Sequence, residues 1–271
     1  MSADPEPIAR CPEQILAATT VLLTDVDDTL TRDGRLHGTT LTAMESLAAA
    51  GIRVIAITGA CAGWGHHIVR TWPVAAVVAE SGAVAMRRQG SRLEQACWQT
   101  REQLREEQAR VLAIAHRLAE RHGLPLAADQ PYRLADVAID HGQEVGPTPR
   151  STVQALLAAL HAEGLRATAS SIHVNAWVSD FDKARMAERC LRDWFGLTGD
   201  PLREQVGFVG DASNDEPMFA WLSRTFGVAN IKPHLPAMAA RPRWITDRSH
   251  GAGFEELAER LLTARQQAST A

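Results

Sequence analysis

The segment Val21-Leu22-Leu23-Thr24-Asp25-Val26-Asp27-Asp28-Thr29 constrains the chain more than any other. An unbroken apolar run suits a strand buried on both faces of a parallel sheet. Here that run ends in three acids. Side chains alternate along an extended backbone, so Asp25 and Asp27 share a face. Two carboxylates held that close repel, and each resists ionising without a cation between them. A hard, oxygen-seeking ion such as Mg²⁺ meets that need. The carboxyl end of a strand is also where open α/β sheets place their ligands.

The rest of the first segment repeats the theme. Apolar runs at 20–24, 53–58 and 74–79 alternate with helical stretches at 40–49 and 63–71. Such alternation predicts a parallel sheet with right-handed crossovers. The pattern changes after Gly82. A long charged amphipathic stretch, 98–122, carries Leu104, Val111, Leu112, Ala115 and Leu118 on one face and closes at Gly123. A half-exposed strand at 134–140, a helix at 147–162 and two strands at 165–170 and 172–178 follow. Strand–helix alternation resumes at Lys183 and runs to the C-terminal helix, 254–268. The expected fold is therefore α/β: a Rossmann-like, doubly wound parallel-sheet core over 1–83 and 181–271, with an inserted α+β cap over 84–180.

Bulk composition narrows the function. A net charge of −4 with interspersed signs and a single tyrosine, Tyr132, argue against a nucleic-acid surface. The four cysteines are scattered and form no Cys-x-x-Cys pair, so neither a disulfide framework nor a zinc site is expected. The residues before Ile15 are polar, and no uncharged apolar run is long enough for a bilayer. A reduced, cytoplasmic protein with no nucleic-acid or membrane partner is the expectation. Its oligomeric state is left open.

A second apolar run also ends in acids: Gly207-Phe208-Val209-Gly210-Asp211-Ala212-Ser213-Asn214-Asp215. If the two strands are parallel neighbours, Asp25, Asp27, Asp211 and Asp215 converge on one crevice. Ile55-Ala56-Ile57 ends in Thr58-Gly59, a hydroxyl and a flexible turn whose N–H groups can hold an anion at a helix start. Lys183 opens a helix where the insertion returns, and offers a positive charge for phosphate.

Together, Asp25-Val26-Asp27-Asp28-Thr29, Thr58-Gly59, Lys183 and Gly210-Asp211…Asn214-Asp215 resemble the haloacid dehalogenase superfamily of phosphohydrolases. The inserted α+β cap and the turn Glu80-Ser81-Gly82-Ala83 are similar to its Cof-like branch, which includes sucrose-phosphate and mannosyl-3-phosphoglycerate phosphatases. The resemblance implies a Mg²⁺-dependent phosphatase acting on a small phosphorylated metabolite, a sugar or polyol phosphate. It makes Asp25 the nucleophile, which forms an aspartyl-phosphate. It makes Asp27 the acid and base for the leaving alcohol and the water. Thr58, Gly59 and Lys183 would bind the phosphoryl oxygens. Asp25, the backbone carbonyl of Asp27 and Asp211 would hold the metal, with Asn214 and Asp215 in the outer shell. This chain departs from relatives at Asp28, where many have glycine, at Ala184, where many have glycine, and at Ser81 in place of asparagine.

Other residues carry weaker signals. Strand alternation puts His173, Asn175 and Trp177 on one face, where His173 and Asn175 can read sugar hydroxyls; the alternative is ordinary packing. Arg133 and Asp136 are secondary candidates. His66-His67 read as helix surface and Arg87-Arg88 as a solvated linker. Asp215 also suits a helix cap. Two rivals stay open on the same residues: a phosphomutase or phosphotransferase, and a non-catalytic metabolite-binding protein.

Overall fold

The computed structural model describes residues 4–270. Three apolar strands lie side by side at its centre: Val206–Gly210, Val21–Asp25 and Arg53–Ile57. They run parallel, with Val209 opposite Thr24 and Leu22 opposite Val54. The sheet continues on one side through Arg224–Gly227, Trp244–Ile245 and Glu6–Pro7. On the other it continues through Ala76–Ala79, Val84–Gln89 and Arg92–Cys97, for nine strands in all. Apart from the edge strand Glu6–Pro7, chain order grows outward in both directions from the seam between Val21–Asp25 and Val206–Gly210. That seam is the switch point at which open sheets form a ligand crevice.

Alternation sends successive side chains of each strand into two cores. Leu22, Val54 and Val77 pack under the helices Gly38–Ala49, Ala62–Thr71 and His250–Thr270. Val21, Leu23, Ile55 and Val78 pack under Lys183–Phe195 and Glu216–Trp221. Both faces are thus covered, which is why the strands are uniformly apolar.

A smaller unit carries its own three-stranded antiparallel sheet, in the order Arg166–Ala169, His173–Trp177, Val137–Asp140. The helices Arg101–Arg121 and Arg150–Ala162 pack on one face of it, around Val111, Leu118, Ile139, Leu156, Leu160 and Val174. His173, Asn175 and Trp177 alternate with Val174 and Ala176, and so take the opposite face.

The strands and helices stand within a few residues of expectation, with one larger difference. The insertion was placed from residue 84, yet residues 84–97 form an antiparallel hairpin that adds to the core sheet. Arg87-Arg88 accordingly lies in a paired strand and not in a linker. Arg87 Nε donates to Glu94 at 2.7 Å and its guanidinium covers the Trp194 ring. The sheet-edge side chains are polar from Arg87 onward, so the apolar signal of a core strand fades there. The short helix Gly199–Gln205 and the hairpin Thr31–Arg32 with Arg35–Leu36 were also not foreseen.

The turn Glu80-Ser81-Gly82 joins the parallel strands to this hairpin with three successive positive φ values, 50°, 55° and 114°. A Cβ on Gly82 would stand 2.2 Å from the Asp182 carbonyl oxygen, at the start of the Lys183 helix. Only glycine permits that approach. Gly82→Ala is expected to cost roughly 1–3 kcal/mol of stability through backbone strain. Urea unfolding monitored by circular dichroism measures it; an unchanged midpoint would mean the turn is free to move.

Candidate active site

Parallel register brings the acidic strand ends together. Asp25 is the last residue of its strand and Asp211 directly follows the neighbouring one. Asp215 folds back so that its Oδ2 accepts from the Asp211 amide at 3.1 Å. A Cβ on Gly210 would lie 2.2 Å from that oxygen, so glycine is required for the fold-back. Asp25, Asp211 and Asp215 each offer an oxygen, and these atoms lie within 4.8 Å of one another. Lys183 enters from the helix that Asp182 caps, and its Nζ donates to Asp25 Oδ1 at 2.6 Å and to Asp215 Oδ1 at 2.7 Å. All four side chains are buried.

The charges do not balance. Burial, with the Asp215 charge beside it, pushes the Asp25 carboxyl well above its ordinary range. Burial and the Asp25 charge do the same to Asp211. Burial works against the Lys183 charge, but Asp215 and Asp25 outweigh it and hold the ammonium firmly protonated. Asp27 is pushed up to about 6 by desolvation and by Asp28. Asn214 Oδ1 is a further buried oxygen with no hydrogen-bond partner. A cluster of hard oxygen donors with surplus negative charge fits a divalent cation such as Mg²⁺.

Thr58 follows Arg53–Ile57 and is fully buried beside Asp27. Its Oγ1 accepts from the Ala60 amide at 2.9 Å and donates to Asp27 Oδ2 at 3.5 Å. The Asp27 carboxylate thus faces Thr58 and stands apart from the three-carboxylate cluster. The Gly59 carbonyl accepts from Arg133 Nη1 at 2.9 Å and from Asn175 Nδ2 at 3.1 Å. Both donors belong to the smaller unit and both also bind Asp136. The Asn175 Nδ2 is thus engaged by the protein while the residue still lines the cavity beside the crevice, and Trp177 packs flat on Phe181. His173 lines the cavity beside the crevice, and its buried Nε2 has no partner. Burial, reinforced by Arg133, depresses the imidazole to about 4.

Four residues to which the motifs assigned no role of their own support the site. Thr29 Oγ1 donates to Asp211 Oδ1 at 3.1 Å, and Asn230 Nδ2 to Asp211 Oδ2 at 3.1 Å. His250 donates its amide to Asn230 Oδ1. Glu80 accepts backbone N–H groups from Ala62, Leu134, Ala135 and Asp136, and so ties the core to the smaller unit. Glu80 was legible as a third apolar strand ending in an acid. Asn230 and His250 sit in irregular segments with no pattern to mark them.

No protein-family model matches the sequence, and no curated protein is similar to it by sequence. Solved structures share its fold over most of both chains. A Thermoplasma acidophilum protein matches at TM-score 0.69 and 17% identity, covering 90% of this chain and 98% of its own. The sucrose-phosphatase of Synechocystis sp., solved with sucrose and phosphate, matches at TM-score 0.62 and 14% identity, over 90% and 98%. A haloacid dehalogenase-like hydrolase from Bacteroides thetaiotaomicron matches at 0.61 and 14%, over 90% and 99%. The chain thus has the fold of haloacid dehalogenase-type phosphatases, a Rossmann-like core with a separate antiparallel unit.

Two outcomes follow from the charge balance. Mg²⁺ at a hundred times its dissociation constant should stabilise the protein by roughly 2–3 kcal/mol, read as a rise in thermal midpoint. Asp211→Asn should lose that rise while matching or exceeding the wild-type midpoint without metal, because one buried repulsion is gone. An undiminished rise in the variant would remove Asp211 from the cation site. The second concerns His173, whose folded pKa of about 4 lies below its ordinary 6.5. The folded state then binds fewer protons, so stability is full above pH 6.5 and falls as pH drops toward 4. His173→Gln should flatten the stability curve over that interval, in denaturant titrations at stepped pH; an identical slope in both proteins contradicts it.

Proposed function

We propose that the protein is a Mg²⁺-dependent phosphatase of the haloacid dehalogenase type, hydrolysing a small phosphate monoester, a sugar or sugar-derivative phosphate. The observation that carries this reading is the buried Lys183 ammonium bridging Asp25 and Asp215, with Asp211 alongside, at the sheet's switch point. In this reading Asp25 attacks phosphorus and forms an aspartyl-phosphate as the ester oxygen departs. Asp27 gives its proton to that oxygen, then takes one from the water that releases phosphate. Its pKa of about 6 suits both halves of the exchange. Thr58, the Gly59 turn and Lys183 hold the non-bridging oxygens. Asp25, Asp211 and the Asp27 backbone carbonyl would hold the cation, with Asp215 and Asn214 orienting them. A bound divalent ion neutralises phosphoryl charge. The smaller unit acts as the cap, contributing a wall opposite the carboxylates and excluding water.

Hydrolysis of p-nitrophenyl phosphate with and without Mg²⁺ tests the reading directly. Asp25→Asn should lower kcat by at least about a thousandfold, since the nucleophile is gone. Unimpaired turnover by that variant rules out the covalent route. Free phosphate as product, with no isomeric ester from a sugar phosphate, separates hydrolysis from transfer to a second alcohol.

A further inference from the structure

The cavity above the carboxylates has a volume of about 740 Å³. That is ample for a small-molecule leaving group. Its walls are divided by charge. Among the described residues no lysine or arginine lines it, and its charged groups are all aspartates. Arg133 lies behind the wall, fully buried and occupied by Asp129, Asp136 and the Gly59 carbonyl. Five of the six aspartates gather at the carboxylate floor and the 31–36 hairpin; the sixth, Asp129, stands on the wall of the smaller unit, paired with Arg133. The rest of the wall carries no carboxylate. Gln143, Ser170, Ser171 and His173 come from the smaller unit, and Trp64 from the helix Ala62–Thr71. Trp64 is 53% exposed and turns its indole to the cavity.

We propose that this cavity takes an uncharged, polyhydroxylated leaving group stacked on Trp64, with His173 in its polar wall, and rejects leaving groups that carry a carboxylate. The inference rests on the phosphatase reading and deepens it. A carboxylate buried here would face acids and find no free cation, and an unpaired buried charge is costly. Hydroxyl groups both donate and accept, and so match amide, hydroxyl and neutral imidazole partners in several arrangements. The depressed His173 pKa keeps the ring uncharged at neutral pH, and its Nε2 lacks a protein partner. The C–H face of a sugar or polyol suits the electron-rich face of an indole. Both Asp129 oxygens are already held by the Arg133 guanidinium, which leaves them poorly placed to pair with a cationic ligand.

Steady-state kinetics on a matched set tests this. The set is glucose 6-phosphate, 6-phosphogluconate, phosphocholine and ethyl phosphate, with p-nitrophenyl phosphate as the probe of phosphatase activity itself. Glucose 6-phosphate should exceed 6-phosphogluconate in kcat/KM by at least about tenfold, and should also exceed phosphocholine. Trp64→Ala should lower the preference for glucose 6-phosphate over ethyl phosphate about tenfold, chiefly through KM, while Trp64→Phe retains most of it. Equal or better turnover of 6-phosphogluconate or phosphocholine overturns this inference and leaves the phosphatase reading intact. So does an unchanged preference in Trp64→Ala. Failure to hydrolyse any ester, p-nitrophenyl phosphate included, overturns both.

Discussion

The structure depends on one buried ammonium. Lys183 reaches Asp25 across 158 positions of sequence and Asp215 across 32. Buried charges persist only when paired, and removing one partner of such a set costs several kcal/mol. The pairing therefore fixes where the chain must return after its long insertion. It also requires that Val21–Asp25 and Val206–Gly210 be neighbours, since their ends supply the anions. One ammonium against three carboxylates leaves the cluster short of positive charge. The raised pKa values of Asp25 and Asp211 express that shortage.

A second polar cluster does comparable work between the core and the smaller unit. The Gly59 carbonyl receives Arg133 and Asn175, and both are braced by Asp136. Glu80 gathers backbone amides from both sides of the junction. The turn that follows Thr58 is therefore shaped partly by residues more than seventy positions downstream. Any movement of the smaller unit away from the core must break the hydrogen bonds that converge on the Gly59 carbonyl and the Glu80 carboxylate. Position of the smaller unit and geometry of the Thr58-Gly59 turn are thus coupled through the Gly59 carbonyl.

Much of this was legible in the chain. Continuous apolar runs ending in Asp25, Thr58 and Asp211 announce buried parallel strands whose tips carry chemistry, because a strand buried on both faces has no other place for polar groups. Lys183 opens its helix as expected, and Gly210 explains itself once Asp215 must fold back over it. What stayed hidden has a common cause. Val84–Gln89 and Arg92–Cys97 lie toward the sheet edge, where half-exposed side chains blur the apolar pattern. Asn230 and His250 act from irregular segments, where no periodicity exists to read. Strand alternation set Asn175 beside His173, and both line the cavity, but it could not show that the Asn175 Nδ2 also donates to Gly59 and Asp136. His67 looked like helix surface because a cavity between two units leaves no trace in either unit's pattern.

Asp28 shows how the two levels combine. Relatives of this type often carry glycine there, and the backbone at Asp28 has φ 59°, a conformation glycine adopts without strain. The chain nevertheless keeps an aspartate, so the strain must be held by its surroundings. Its carbonyl accepts from Asn230 Nδ2 at 3.0 Å and from His250 Nδ1 at 3.1 Å. His250 itself has φ 55° and begins the C-terminal helix. Two strained residues from opposite ends of the chain therefore hold one another, and Asn230 links both to Asp211 Oδ2. The last helix is in this way part of the frame of the acidic loop, although none of its residues reaches the carboxylate cluster.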